Sequence, residues 1–227
     1  MPRILFVFTS ATKSLTGKSI GWFLPEAAYP YYVLAPHYGI DFAAPAGPNP
    51  TVDPTSVELF LDDTGRRFLA DPAVKSLLEH AKKLDSVDAD NYEAIYYVGG
   101  HGPSIDLVDN KVNTALAEKF YQSGKIVAAV CHGPAALRDV KGTDGRSIFA
   151  GRTVTSFSNE EEEIVDGVKD IPFSVEDEIQ RLGGTYVKAD KPWGVKVVRD
   201  GTLISAQNPA SAGLLGEEIL NALQEKA

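Results

Sequence analysis

The chain has 227 residues, of which 44% are hydrophobic and 23% charged, and its formal net charge is −9. This length suits one hydrophobic core, so we expect a single domain over residues 1–227. The acidic balance, without a cluster of Lys and Arg, argues against nucleic acid and anionic membranes as partners. One cysteine excludes an internal disulfide framework, and no apolar run is long enough to cross a bilayer, so we expect a soluble cytoplasmic protein.

The first half of the chain predicts a buried strand, a proline-rich region and a helix. Residues 4–8 form a short apolar run that is typical of a buried strand. The aromatic segment 21–39 contains three prolines, so we expect any helix there to be short or kinked. Four prolines in residues 43–54 predict a loop. Asp71 followed by Pro72 predicts a capped helix that ends near Leu84.

The second half alternates strand and helix patterns. Buried strands are predicted at 95–98 and 126–130, with a helix over residues 111–122 between them. A shorter strand contains Val154, residues 195–198 and 202–205 predict a hairpin on an Asp-Gly turn, and a helix covers 209–223. This alternation predicts a flavodoxin-like α/β fold, a three-layer sandwich with a mostly parallel sheet and helices on both faces. Functional sites of such sheets lie beyond the carboxyl ends of the strands, here after Phe8, Val98 and Val130.

Cys131, the only cysteine, follows the apolar run that ends at Val130 and is followed by His132. A strand-to-helix turn of this kind exposes a side chain at the top of the sheet. The helix N-terminus behind it favours a thiolate, and His132 could deprotonate or orient the thiol. The alternative is a buried structural cysteine beside a surface histidine. The strand–turn–helix context favours the nucleophile.

A glycine-rich turn, Gly99-Gly100-His101-Gly102, follows the strand predicted at 95–98. Glycines let the backbone approach a ligand closely. The amides of Gly100 and His132 together would form a two-donor oxyanion hole. The alternative is an ordinary tight turn, and the predicted position beside the cysteine strand favours the site.

Two further candidates for the predicted active site are acidic. Glu26 is the only charge in an apolar stretch, where a carboxyl would have a raised pKa and could act as acid or base. The alternative is a solvated glutamate in a first helical turn. Residues 160–163 are four consecutive glutamates, usually an exposed helix face, of which one could orient His132. Spacing alone does not choose which one.

Two further patterns were considered as binding sites, and neither fits its motif. Thr16-Gly17-Lys18-Ser19 is similar to the end of a phosphate-binding loop, but Thr12 occupies the position of the first glycine that this motif requires. The four histidines show no metal-ligand spacing, so we expect no metal.

These motifs together resemble the ThiJ/PfpI superfamily, which has a glutamine-amidotransferase-like α/β fold. More narrowly, the chain resembles the glutathione-independent glyoxalase branch, also called glyoxalase III or D-lactate dehydratase, which includes heat-inducible, chaperone-like fungal proteins. The most specific part is Ala-Ala-Val-Cys131-His132-Gly-Pro-Ala. Gly100-His101-Gly102, Glu26 with Pro30, and residues 208–212 match as well.

The resemblance implies Cys131 as nucleophile, His132 as its partner, Glu26 as the carboxyl beside the thiol, and Glu162 as the third triad residue, with Gly100 and His101 binding the substrate. It implies conversion of methylglyoxal, a small 2-oxoaldehyde, to D-lactate through a cysteine hemithioacetal, without a cofactor, in a homodimer active in the stress response. Whether Glu26 or His132 moves the proton stays open. Tyr29 stands where similar sequences often carry histidine, which puts substrate preference in question.

Three alternatives remain. One is another cysteine hydrolase, or an isocyanide hydratase, on the same fold. A second is a stress chaperone or a redox sensor in which Cys131 is oxidised. The third is a catalytically silent domain that keeps the fold.

Overall fold

The computed structural model describes residues 2–226, which form nine strands and eight α-helices. The strands are β1 (Arg3–Val7), β2 (Gly39–Ala44), β3 (Lys82–Lys83), β4 (Ala94–Tyr97), β5 (Ile126–Val130), β6 (Thr153–Val154), β7 (Thr185–Tyr186), β8 (Val197–Asp200) and β9 (Leu203–Ala206). The helices are α1 (Leu24–Leu34), α2 (Pro54–Phe60), α3 (Asp63–Ala70), α4 (Pro72–Glu79), α5 (Lys111–Gln122), α6 (Asn159–Ile164), α7 (Val175–Arg181) and α8 (Ala212–Gln224). Shorter helical turns cover Leu84–Ser86, Ala89–Asn91, Pro103–Leu107, Gly133–Leu137 and Pro209–Ser211.

Seven strands form one sheet in the order β3-β2-β1-β4-β5-β9-β8, and β6 pairs with β7 in a second, two-stranded sheet. In the seven-stranded sheet the pairs are parallel except for β8, which runs antiparallel to β9. The prediction of a mostly parallel sheet is therefore confirmed. The order also places the ends of β1, β4 and β5 side by side.

Both faces of the sheet are covered by helices. Alternate residues of β1 point to opposite sides: Phe6 packs in a core with α1, α3 and α8, whereas Leu5 packs in a second core with α5 and α7. A strand buried on both faces must be apolar throughout, which explains its continuous apolar run. The predicted three-layer sandwich is confirmed.

Several predicted boundaries shift. The helix over Lys111–Gln122 and the strand Ile126–Val130 are confirmed as predicted. Helix α4 has the predicted cap, with Ala73 N–H donating to the Asp71 carboxylate at 2.9 Å, but it ends at Glu79 rather than near Leu84. The chain must turn there because residues 82–83 pair with the end of β2 as strand β3.

The proline-rich region also differs from expectation. Helix α1 is eleven residues long and continues through Pro30, which lacks the N–H that would bond to the carbonyl oxygen of Glu26. The hydroxyl of Tyr96 donates to that oxygen instead, at 2.6 Å. The predicted loop over 43–54 is wrong at its start, because Ala43 and Ala44 belong to β2.

The C-terminal part follows the predicted order with small shifts. The hairpin strands begin one or two residues later than predicted, and the helix predicted over 209–223 begins as the short turn Pro209–Ser211 before α8. Within residues 2–226, no helix has both the length and the apolar character needed to cross a bilayer.

Candidate active site

Cys131 lies on a strained turn directly after β5. Its φ is +59°, in the left-handed region that residues other than glycine rarely adopt. Two backbone hydrogen bonds hold this conformation: Cys131 N–H donates to Ala206 O, and Phe157 N–H donates to Cys131 O, both at 3.0 Å. The side chain is 4% exposed and lines a cavity of about 470 Å³. The predicted position at the carboxyl end of the sheet is confirmed.

Cys131, His132 and Glu162 form a hydrogen-bonded series. The sulfur lies 3.3 Å from His132 Nδ1, and His132 Nε2 lies 2.5 Å from a Glu162 carboxylate oxygen. Because a carboxylate only accepts hydrogen bonds, Nε2 carries the hydrogen and Nδ1 presents its lone pair to the thiol. Burial lowers the pKa of His132 against the opposing effect of Glu162. The imidazole is therefore neutral and able to accept the thiol proton.

Glu162 is the member of the glutamate run that faces inward toward the histidines. Within α6, Glu161 and Glu162 are buried, whereas Glu160 and Glu163 are exposed. Burial alone would raise the pKa of Glu162, but His132 and His101 lower it well below its usual range. An ionised Glu162 therefore orients His132 and stabilises any positive charge on it.

Glu161 was not predicted as a site residue, yet its carboxylate organises this region. It accepts hydrogen bonds from Ser158 N (3.0 Å), Ser158 Oγ (2.7 Å), Trp193 N (2.9 Å), Gln207 Nε2 (2.9 Å) and Asn208 Nδ2 (2.8 Å). Ser158 Oγ also accepts from Glu161 N, which makes a reciprocal capping box. The pattern Ser-x-x-Glu at 158–161 is the sequence signal that could have identified it.

His101 contacts the same carboxylate as His132. Its Nε2 lies 2.8 Å from the other oxygen of Glu162, and the two imidazole rings lie 4.5 Å apart. His101 also lines the cavity, where substrate binding was predicted for it. His101, His132 and Glu162 are a group that could hold a metal ion, since their ligand atoms lie within 4.8 Å of one another. Sequence spacing could not indicate this group, because the three residues follow different strands.

Glu26 is wholly buried beside Cys131, which excludes the solvated alternative. A Cβ atom added to Gly99 would lie 2.4 Å from a Glu26 carboxyl oxygen and 2.8 Å from Cys131 Cβ, so only glycine allows this approach. Within residues 2–226, neither carboxyl oxygen has a hydrogen-bond partner with normal geometry. Burial raises the pKa of Glu26 to about 8, although the Cys131 thiol and the Gly99 N–H partly oppose it. The prediction of a raised pKa is confirmed.

The prediction that the turn favours a thiolate was wrong. Burial raises the pKa of Cys131 well above its ordinary value, and the carboxylates, Glu26 foremost, add to this rise. The segment after the turn, Gly133–Leu137, is a short 3-10 helix and not an α-helix, so it supplies little dipole to offset burial. The thiol must therefore pass its proton to a neighbour when it reacts.

One backbone N–H group contacts the sulfur, and a second has no acceptor among the hydrogen bonds of the described residues. The N–H of Gly100 points to Cys131, where it favours the thiolate against the effect of burial. Gly100 has a φ of +88°, and a Cβ there would lie 2.4 Å from Gly21 O, so the position requires glycine. Among the hydrogen bonds of residues 2–226, the N–H of His132 has no acceptor. The pairing of these two N–H groups as oxyanion donors stays a prediction.

The cavity above Cys131 is mainly apolar. Its walls include Ile20, Phe23, Leu59, Phe60, Phe157, Val165 and Trp193. Lys18 and Asp170 also line it and pair with each other at 2.8 Å. Tyr29 lies outside this cavity, in a neighbouring open groove, where its hydroxyl donates to Asp62. The effect of Tyr29 on substrate preference stays a prediction.

Comparison with known proteins gives consistent matches. The model of the DJ-1/PfpI family matches residues 63–222. Glyoxalase 3 of Candida albicans is 28% identical and covers 99% of both chains, and the glutathione-independent glyoxalase HSP31 of Saccharomyces cerevisiae is 30% identical over 92% of this chain and 91% of its own.

Solved structures agree with the fold over nearly the whole chain. The Rapid Encystment Protein 24 kDa of Francisella tularensis superposes with a TM-score of 0.92 at 34% identity, covering 98% of this chain and 99% of its own. Glyoxalase III from Candida albicans superposes with a TM-score of 0.88 at 28% identity, covering 97% of each chain. The matches include the region of Glu26, which precedes the part matched by the family model.

Proposed function

The chain belongs to the DJ-1/PfpI family, and on that premise we propose that it is a glutathione-independent glyoxalase that converts methylglyoxal to D-lactate. The observation that supports this most is Glu26, a buried carboxyl beside the thiol of Cys131 whose oxygens make no hydrogen bond of normal geometry within residues 2–226. The reaction moves a proton between adjacent carbon atoms, and a free carboxyl next to the thiol can carry it. Both fungal relatives are named as glyoxalases, one of them as glutathione-independent, which supports this class of activity.

Cys131 is the proposed nucleophile. Nδ1 of His132 accepts the thiol proton as the sulfur adds to the aldehyde carbon, and ionised Glu162 stabilises the resulting imidazolium. The N–H groups of Gly100 and His132 donate to the aldehyde oxygen as it becomes negative. Return of the proton from His132 to that oxygen gives a neutral hemithioacetal on Cys131.

Glu26 is the proposed proton carrier. In its ionised form it removes the hydrogen from the carbon bonded to sulfur, which gives an enediolate. The hydroxyl proton of that carbon then passes to the former ketone oxygen, and protonated Glu26 returns its proton to the neighbouring carbon, which gives a lactoyl thioester. A pKa of about 8 leaves both forms of Glu26 accessible near neutral pH. Water hydrolyses the thioester, releasing lactate and restoring the thiol. One carbon is oxidised and its neighbour reduced, so no external oxidant, reductant or cofactor takes part.

The location, oligomeric state and physiological role are proposed from the resemblance to the glutathione-independent glyoxalases. We propose a single-domain lyase of the stress response that acts in the cytoplasm as a homodimer on small 2-oxoaldehydes. One cysteine and a net charge of −9 support a reducing compartment and a partner other than nucleic acid. Sedimentation of the purified protein tests the dimer, because the monomer mass is 24.4 kDa.

The test of this function is turnover in buffer without thiols. We expect loss of methylglyoxal and equal formation of lactate, which a stereospecific D-lactate dehydrogenase detects. Cys131→Ala should abolish both while keeping the circular dichroism spectrum of the wild type. Val112→Ala is the control, since Val112 is exposed on α5, outside the cavity. Absence of lactate from the folded wild-type protein would reject the proposal.

A further inference from the structure

The cavity at Cys131 is larger than methylglyoxal requires. Its volume is about 470 Å³. This lies within the range of about 300–1,000 Å³ that is typical of sites that enclose drug-sized ligands. Methylglyoxal carries only a methyl group on its ketone carbon. Most of the cavity would therefore stay without contact to this substrate, and the binding energy of the walls would not be used.

Two aromatic pairs form part of the wall. Phe23 and Phe60 pack edge to face with ring centroids 5.4 Å apart, and Phe157 and Trp193 lie 5.7 Å apart. Phe157 also lies 4.9 Å from the ring of His132, which places the second pair beside the reacting thiol. An apolar group bound against the second pair would be close to Cys131.

The charged groups of the lining already have protein partners. Lys18 pairs with Asp170 at 2.8 Å, and the carboxylate of Asp53 accepts from Thr55 N at 2.8 Å as the cap of α2. The two histidines of the lining, His101 and His132, contact the carboxylate of Glu162 behind them. A charged substituent would have to break one of these contacts, whereas an apolar substituent would leave them intact.

An apolar substituent would bury apolar side-chain surface of the wall that is now exposed to solvent. Phe60 is 37% exposed and Trp193 is 39% exposed, and burial of apolar surface on binding is favourable. Trp193 has a φ of +63°, and its backbone N–H donates to the Glu161 carboxylate at 2.9 Å. A backbone held in this way restricts where the indole ring can lie before a ligand binds.

We propose that this site prefers 2-oxoaldehydes that carry a bulky apolar substituent on the ketone carbon over methylglyoxal, an inference that rests on the proposed glyoxalase function. The reacting carbons and the chemistry are the same for these substrates. The preference arises from contacts of the substituent with the aromatic pairs, so the gain is expected mainly in KM.

An alkyl series tests the preference. Methylglyoxal, 4-methyl-2-oxopentanal and 3-cyclohexyl-2-oxopropanal have similar electronic character at the aldehyde and differ in apolar size. We expect kcat/KM for formation of the 2-hydroxy acid to rise along the series, by at least about tenfold from first to last. A flat or falling series in the wild-type protein would overturn the inference, and this measurement does not depend on any variant.

Wall variants test the origin of the preference. Phe60→Ala and Trp193→Ala should each reduce the ratio of kcat/KM between the largest and smallest substrates, whereas Val112→Ala should leave it unchanged. A ratio that persists in both wall variants would overturn the assignment to these pairs. Formation of lactate with a flat series rejects only this inference, whereas no hydroxy acid from any substrate rejects the glyoxalase function and the inference with it.

Discussion

Glu26 lies in an environment that opposes the ionised form of a glutamate. Its side chain is wholly buried, and burial raises its pKa from 4.5 to about 8. Between these two pH values the folded protein holds a proton that the unfolded chain has lost. The free energy of unfolding therefore falls as pH rises through this window. Glu26 destabilises the folded protein at neutral and alkaline pH, which is a cost expected of a functional group.

Glu26→Gln should remove this cost. We expect the variant and the wild type to be equally stable at low pH. As pH rises, the free energy of unfolding of the variant should exceed that of the wild type by an increasing amount, to a limit on the order of 5 kcal/mol above about pH 8. Urea unfolding of both proteins at several pH values measures the difference. Glu163→Gln, an exposed neighbour on α6, should parallel the wild type. A difference between Glu26→Gln and the wild type that does not vary with pH would contradict this assignment.

Glu162→Gln should impair turnover through His132. The amide cannot balance a positive imidazole, and its NH2 group can turn toward Nε2 and change the tautomer. Loss of the acid in comparable triads lowers kcat by about 10⁴-fold, and we expect a loss of at least about 10³-fold here. Glu163→Gln is the matched control and should retain wild-type kcat. Similar rates for the two variants would show that Glu162 does not act on His132.

For single residues, the sequence motifs around Cys131, His132 and Glu26 were enough to identify these residues as candidates for the active site, because each lies in a distinctive local sequence. The register of Glu162 was chosen by resemblance, and only the burial pattern of α6 explains it physically. The direction of the Cys131 pKa shift was not predictable, because it depends on how deeply the turn is buried. The contact of His101 with Glu162 joins residues 61 positions apart.

At the scale of elements, α6 owes its position to Glu161. This carboxylate joins the start of the helix to Trp193 and to the segment after β9. Glu161→Ala would leave several buried donors without an acceptor, so we expect a loss of about 3 kcal/mol or more in the free energy of unfolding. Glu160→Ala, at an exposed position in the same helix, should change it by less than about 0.5 kcal/mol. Equal effects of the two substitutions in urea unfolding would contradict this role.

The accuracy of element prediction depended on whether the signals were local. Helix α5 was predicted at both ends, since Asn110 caps it and the apolar pattern is regular. The early end of α4 follows from pairing of residues 82–83 with β2, a distant contact. Passage of α1 through Pro30 depends on the hydroxyl of Tyr96, which belongs to another strand. In both cases a tertiary contact outweighed the local pattern.

For the whole molecule, the alternation of apolar runs and helices was enough to predict the class of fold, but not the strand order. β9 lies beside β5 although 72 residues separate the end of β5 from the start of β9. Local sequence patterns do not indicate which strands pair when the strands are so far apart in the chain. The two cores on opposite faces follow from the apolar strands themselves.

The chaperone alternative is also a question for the whole molecule. Among the large apolar side chains exposed within residues 2–226, several line the cavity, namely Leu59, Phe60, Val165 and Trp193. We therefore expect this surface to serve substrate binding and the purified protein not to suppress aggregation of an unfolding client. Light scattering of a heated client protein measures this. Suppression that survives Cys131→Ala would favour the chaperone function.

The most direct test of the central claim is the chemical identity of the adduct on Cys131. Excess protein is mixed with methylglyoxal, quenched in acid within the first turnover, and digested for peptide mass mapping with and without hydroxylamine. We expect the wild-type adduct on Cys131 to release lactohydroxamate, as a thioester does. Glu26→Gln should carry an adduct of equal mass that hydroxylamine does not convert, because the hemithioacetal no longer isomerises. No adduct on Cys131 in either protein, or adducts on lysine and arginine alone, would contradict the covalent mechanism.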